Sequence, residues 1–300
     1  MLLPRWENSQ PVLHTARGTG NWIGAASAMI HDGYIFLAYR DRHPVDQGRG
    51  NQAHVSRSPL DDGIHFEPLC AIDKSDMDAA SLERPALDVT PEGDWDLYLS
   101  CATFNSKHWR IERLRASRPE DFSPTTRETV FPGSAEFGIK DPVLVRDQDL
   151  RIWATLHPLT EGDDNADKMI SVDACTCERV MEPDPGTWYS RGTRITAILG
   201  EYAYFDGRAS AAQNFEERTG LARWNGSRYI PEAGPVSSPY GGGALRYVSA
   251  IRLPAGGVRL YYESATEYGS HELRTELLTD PEQPGRDLRS AGVKISVASA

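Results

Sequence analysis

Apolar positions along this chain fall in short paired runs. A run of about five residues, a turn, and an aromatic-rich run that ends in polar residues recur five times, over residues 25–39, 85–99, 142–154, 195–205 and 248–262. Asp32-Gly33 between two such runs is a strong hairpin signal, and Pro91-Glu92-Gly93 and Pro254-Ala255-Gly256 punctuate their units in the same way. The second runs begin at Tyr34, Trp95, Leu150, Tyr202 and Val258, spaced 61, 55, 52 and 56 residues apart, which leaves room for about four strands per unit. Period-two alternation marks a third strand at 52–57, 109–114, 219–224 and 272–277, each close behind its hairpin. Helical periodicity is scarce. The pattern predicts an all-β fold, a five-bladed β-propeller occupying residues 1–300 as one domain, with the run at 293–297 as a candidate strand to close the ring. A β-sandwich also strings short strands between regular turns. The repeated two-run unit favours the propeller, whose blades close radially and leave only short edges.

Composition narrows the function classes. The net charge of -11 and the absence of a clustered basic stripe argue against nucleic acid as a partner. No apolar run approaches a membrane span, and the first residues lack a basic start followed by an apolar stretch, so a cytoplasmic location is expected. Four cysteines in 300 residues do not make a disulfide framework. Cys175 and Cys177 have no second ligand pair at zinc spacing and read as alternate residues of a strand, so no metal and no cofactor are expected.

In a propeller the residues before each first strand and after each second strand emerge at the same end of the channel. That rule gathers Glu83, Arg84, Asp141, Arg194, Asp41, His157, Asp206, Arg208, Glu263 and His271 at one mouth, while the opposite turns hold mainly glycine connectors. Charges crowded at a channel mouth need partners, water or a polar ligand. Ion pairs between blades are one outcome, and a bound small carbohydrate is the other. Residues 206–220 form the densest polar loop at this end and include Glu217; the alternative for that loop is a capped helical turn with Glu216, Glu217 and Arg218 in surface pairs.

The segment Ile139-Lys140-Asp141-Pro142-Val143-Leu144-Val145, followed by Asp147 and an aromatic strand, resembles the Asp-Pro motif of the five-bladed glycoside hydrolases of family 43 and their relatives. The repeat architecture carries that resemblance over residues 22–277. It implies glycoside hydrolysis by paired carboxyl groups, one protonating the leaving oxygen and one activating water or attacking the anomeric carbon, with Asp141 as the residue that tunes the acid. The positions where the family places its base and acid read Ala25-Ala26-Ser27 and Gly192-Thr193-Arg194 here, and neither holds a carboxylate. The reading therefore recruits Glu83 and Asp206 as acid and base with Glu217 in reserve, and Arg84, Arg194, Arg208, His157, Asp41, Glu263 and His271 as substrate-binding groups. Arg84, Arg194 and Arg246 together point to an acidic group on the sugar. A non-catalytic carbohydrate binder, and a lyase or isomerase using the same funnel, stay open as alternatives.

Overall fold

Each paired run folds as the hairpin it encodes. The computed structural model describes residues 3–146, 149–159 and 168–279. Its strands are β1 (Gln10–Leu13), β2 (Trp22–His31), β3 (Tyr34–Arg42), β4 (Gly50–Pro59), β5 (Glu67–Asp73), β6 (Leu82–Val89), β7 (Trp95–Ala102), β8 (Trp109–Ala116), β9 (Glu128–Phe131), β10 (Phe137–Arg146), β11 (Leu150–Pro158), β12 (Ile170–Asp173), β13 (Arg179–Met181), β14 (Gly192–Leu199), β15 (Tyr202–Arg208), β16 (Arg218–Trp224), β17 (Tyr229–Val236), β18 (Leu245–Arg252), β19 (Val258–Ala265) and β20 (His271–Leu278). The described helical segments are single 3-10 turns, and none is long and apolar enough to cross a membrane.

The strands build five antiparallel four-stranded blades: β2 to β5, β6 to β9, β10 to β13, β14 to β17, and β18-β19-β20-β1. Blades one and five are stitched by a single parallel pair, Trp22 with His271. The innermost strands β2, β6, β10, β14 and β18 neighbour one another in order around the channel. A blade packed on both faces must be apolar on both, and β6 and β7 are accordingly buried almost throughout. Five apolar clusters result, one at each blade interface. Leu87, Leu97 and Val55 meet between blades one and two, and Ile111, Ile139 and Ile152 between two and three. Trp153, Ile195 and Phe205 pack between three and four, Tyr204, Val248 and Tyr262 between four and five, and Ile35, Tyr261 and Leu273 between five and one. Five interfaces for five blades mean that the ring is closed.

Blade five gains its fourth strand from near the start of the chain: β1 pairs with β20, Gln10 opposite Thr275. Joining the two chain ends in one blade converts the most open seam into a hydrogen-bonded ladder. The run at 293–297 lies outside the described residues. Cys175 and Cys177 do not sit in a strand but in the turn between β12 and β13, both exposed. The Asp173 carboxylate organises that turn by accepting from the Cys175 and Thr176 amides at 2.9 and 3.0 Å. Among the described residues no cluster of three or more histidine, cysteine or acidic side chains is placed to hold a metal ion.

Candidate functional site

Every innermost strand carries a β-bulge: between Gly24 and Ser27, Glu83 and Pro85, Lys140 and Val143, Ile195 and Ala197, and Arg246 and Ser249. A bulge inserts an unpaired residue and re-aims its side chain. In three blades the inserted residue is left-handed, Ala25 at φ 52°, Asp141 at φ 58° and Tyr247 at φ 55°. Such a conformation costs a non-glycine residue roughly 1–3 kcal/mol and persists only where its surroundings over-determine it. Here the Asp141 amide donates to Ser100 Oγ at 2.8 Å, and the Tyr247 amide donates to the Asp206 carboxylate at 3.0 Å.

At the end of the channel where the innermost strands begin lies a cavity of about 290 Å³. Seven cations line it, Arg42, Arg49, Lys107, Lys140, Arg194, Arg208 and Arg246, against two carboxylates, Glu83 and Glu217. His157, Tyr247, Trp109 and Phe215 supply its uncharged polar and aromatic wall.

Salt bridges run from blade to blade beneath and around this cavity. Arg40 of blade one reaches Glu83 of blade two at 3.1 Å and Glu263 of blade five at 3.0 Å. Arg194 grips Asp206 within blade four through Nε at 3.1 Å and Nη2 at 2.7 Å, and reaches Asp141 of blade three at 3.5 Å. Arg246 holds Glu263 at 2.7 Å and Glu217 at 2.6 Å, and Arg208 takes the other Glu217 oxygen at 3.2 Å. Gly24 leaves the space that Glu263 occupies, since a Cβ there would come within 2.6 Å of the Glu263 side chain. Trp22 lies under this network: Arg42 sits 4.3 Å above its ring and His271 stacks on it at 4.6 Å. Taken together, seven buried cations (Arg40, Arg42, Arg84, Lys140, Arg194, Arg208, Arg246) face five buried carboxylates (Glu83, Asp141, Asp206, Glu217, Glu263), a surplus of two positive charges.

Protonation follows from this arrangement. Burial opposes ionisation of Glu83, but Arg40, Lys140, Arg42 and Arg49 outweigh it and hold the carboxyl well below its usual range. Glu217 is buried too, and Arg246, Arg194 and Arg208 likewise hold it low. Glu263 is depressed by Arg246, Arg40 and His271 against the same burial. For Asp206 burial prevails over Arg194 and pushes the carboxyl up. Burial lowers Arg42 and Arg84 to about 10, with the Glu83 carboxylate opposing at Arg42 and Asp141 at Arg84. Burial and then Lys140, Arg208 and Arg194 drive His157 well below the usual histidine value, so its imidazole is neutral. His271 is lowered by burial against the pull of Glu263.

These shifts set the acid stability. A group whose folded pKa is depressed adds stability that is present above its unfolded pKa and is lost as pH falls toward the folded value. His157 and His271 therefore start the loss below about pH 6.5, and the three glutamates deepen it below about pH 4.3. Asp206, with its raised value, acts in the opposite sense and offsets one of them. Calorimetric melts are expected to show a melting temperature that is flat from pH 8 to 7 and declines steadily from 6.5 to 4; a flat profile down to pH 5 would contradict neutral buried histidines.

The residues expected from sequence divide by depth. Glu83, Glu217, Arg194, Arg208 and His157 line the cavity. Asp141, Asp206 and Glu263 are fully buried and Arg84 nearly so, and none of the four is among the lining residues. Arg84 donates to the Thr196 carbonyl at 2.5 Å, and its Nε and Nη1 have no hydrogen-bond partner among the described residues. His271 opens β20 and pairs with Glu263 at 2.8 Å, behind the cavity. Asp41 is partly exposed and accepts from the Gln52 amide at 2.7 Å, away from the lining. The 206–220 segment holds a short 3-10 turn, Ala211–Gln213. Glu217 is not in a surface pair, because Arg208 and Arg246 draw it into the ring at 2% exposure.

Of the other lining residues, the strand-end rule also brings Arg42 and Lys140 to this mouth, without a role assigned to them, and does not reach Arg49, Lys107 and Trp109. Arg42 ends β3, a second strand, whereas Trp109 opens β8, a third strand, which the rule does not cover. Arg49 and Lys107 lie in connecting loops, where sequence alone gives no direction.

No family model matches the chain, and no curated protein does. Solved structures match along nearly its whole length. A GH43_1 enzyme from Xanthomonas citri complexed with xylose is 16% identical, with a TM-score of 0.61, covering 90% of this chain and 89% of that one. A protein described under the GH130 family of mannoside phosphorylases, which contains glycoside hydrolases that target β-1,2-mannosidic linkages in Candida mannan, is 16% identical with a TM-score of 0.61, covering 95% and 97%. A β-xylosidase is 13% identical with a TM-score of 0.61, covering 92% and 97%. At such identity the likeness is one of fold: the chain shares the five-bladed propeller of these glycoside hydrolases.

Proposed function

We propose that this chain is a carbohydrate-processing enzyme of the glycoside hydrolase type that takes a small anionic glycoside into the cavity at the channel mouth. The observation that carries the reading is the lining of seven cations and two carboxylates in a protein whose net charge is -11. Positive charge gathered against the trend of the whole chain, most of it buried, is costly unless an anion completes it. Arginine is suited to that anion because its planar fork pairs with carboxylate or phosphate oxygens.

Cleavage of a glycosidic bond needs one carboxylic acid and one carboxylate. In the free protein Glu83 and Glu217 are both held ionised. A substrate anion that competes for Arg42 would leave Glu83 with fewer cations and a like charge nearby, which raises its pKa and makes it the acid. Glu217, kept by Arg208 and Arg246, would stay ionised as base or nucleophile. Asp141 and Asp206 act as positioning residues, since they orient Arg194 from below.

The test is turnover of a panel of aryl glycosides that includes neutral sugars, uronides and phosphorylated sugars. Hydrolysis confined to the anionic members is expected. The absence of carboxylates at Ala25 and at Thr193 favours a second reading, a binder that has lost its chemistry, and it takes over if calorimetry shows an anionic sugar bound while no member is cleaved. If no anionic sugar binds, both readings fall.

A further inference from the structure

The cations around the cavity are unevenly balanced. On the side of blades four and five, Arg194, Arg208 and Arg246 each meet a carboxylate at 2.6–3.2 Å. On the side of blades one to three, Arg42, Arg49, Lys107 and Lys140 line the wall with one carboxylate, Glu83, among them. Glu83 is already shared with Arg40, and its contact to Arg42 is 3.3 Å. Lys140 Nζ comes no closer than 3.7 Å to Asp141 and rests 4.6 Å from the Trp109 ring centre. Among the described residues the Nε groups of Arg42 and Arg49 are buried without a hydrogen-bond partner, and Lys107, on an exposed loop, makes no ion pair.

Resting on the anionic-glycoside reading above, we infer that this side of the cavity is a phosphate-ester site, so that the substrate is a phosphorylated sugar. Four cations line this wall against one carboxylate that is itself shared with Arg40, and a ligand carboxylate supplies a single negative charge. A phosphate monoester supplies about 1.5–2 negative charges at neutral pH and three acceptor oxygens. Those oxygens point in three directions, as do donors delivered by three different blades. A planar carboxylate would satisfy one guanidinium fork and leave the lysines unused.

The test is calorimetric binding of four probes to the full chain: an aldohexose 6-phosphate, the matching hexuronate, the neutral hexose and inorganic phosphate. The hexose phosphate is expected to bind at least tenfold tighter than the hexuronate. Its affinity should rise between pH 5 and 7, as the phosphate loses its second proton with a pKa near about 6. Arg49→Ala and Lys107→Ala, changes at a half-buried and an exposed position, should each weaken the hexose phosphate about tenfold and leave the neutral hexose unchanged. A hexuronate that binds as tightly as the hexose phosphate overturns the inference. So does inorganic phosphate binding equally well, which would make free phosphate the occupant. If uronides are bound and cleaved while phosphates are ignored, the ester site fails and the hydrolase reading stands.

Discussion

Arg246→Met is expected to lower the melting temperature by roughly 6–20 °C, the largest loss of stability from any single change at the mouth. Arg246 is 2% exposed and ties blade five to blade four through charge, with Nε and Nη2 on Glu263 at 2.9 and 2.7 Å and Nη1 on Glu217 at 2.6 Å. Removing it leaves Glu263 with Arg40 and His271 and Glu217 with Arg208, each carboxylate one buried cation short, and breaking a buried pair by deleting one partner costs about 3–5 kcal/mol. For a chain of this size each kcal/mol shifts the midpoint by roughly 2–4 °C. The sign of the effect can be separated from a mere packing defect. Adding Glu263→Gln to Arg246→Met removes one of the carboxylates left a cation short and should recover part of the loss, giving a coupling in a double-mutant cycle. If the double variant melts as low as the sum of the singles, the loss is one of packing against Trp22 rather than of charge pairing.

Glu217→Gln is expected to lower turnover of the anionic glycoside by about 10²–10⁴-fold with little change in its binding, the range by which a positioned acid or base contributes. Glutamine keeps the shape, and its one carbonyl oxygen accepts from Arg208 or Arg246 while its NH2 group faces the other guanidinium, so the charge and one of the two contacts are lost together. Melting temperature and calorimetric affinity measured beside turnover decide the matter: a kcat within a few-fold of wild type would remove Glu217 from the chemistry. The parallel Glu83→Gln change should instead erase the basic limb of the pH-rate profile, because Glu83 is assigned the proton that the leaving oxygen needs.

Both expectations rest on depth, and depth divides what the chain reveals before folding from what it does not. The strand-end rule brought Glu83, Arg194, His157 and Arg208 to one mouth because β-propeller connectivity follows from chain order, and the structure places all four around one cavity. It could not separate Glu217 from Asp206. Both come from the same segment, yet Asp206 is fully buried, accepting from Arg194, Thr219 and the Tyr247 amide, while Glu217 faces the cavity. The difference is made by Arg246 and Tyr247, about forty residues downstream of Asp206. Lys107 and Arg49 were illegible for a related reason: a loop cation has no periodicity to fix its direction. The outer strands were also hidden. β1 and β12 have four residues each, too few for period two to register, and β1 is recognisable only by its partner β20.

The sequence by itself determined the five hairpins and their order, since alternation and turn chemistry are local properties in which each residue is read against its immediate neighbours. The tertiary structure alone decided where the ring closes, which carboxylates are spent on arginines and which face the cavity, and that the cations outnumber them. Those outcomes depend on contacts between residues 265 positions apart, as with Gln10 and Thr275, and on the bulges at Asp141 and Tyr247, whose inserted residue is held by the preceding blade rather than by its own strand.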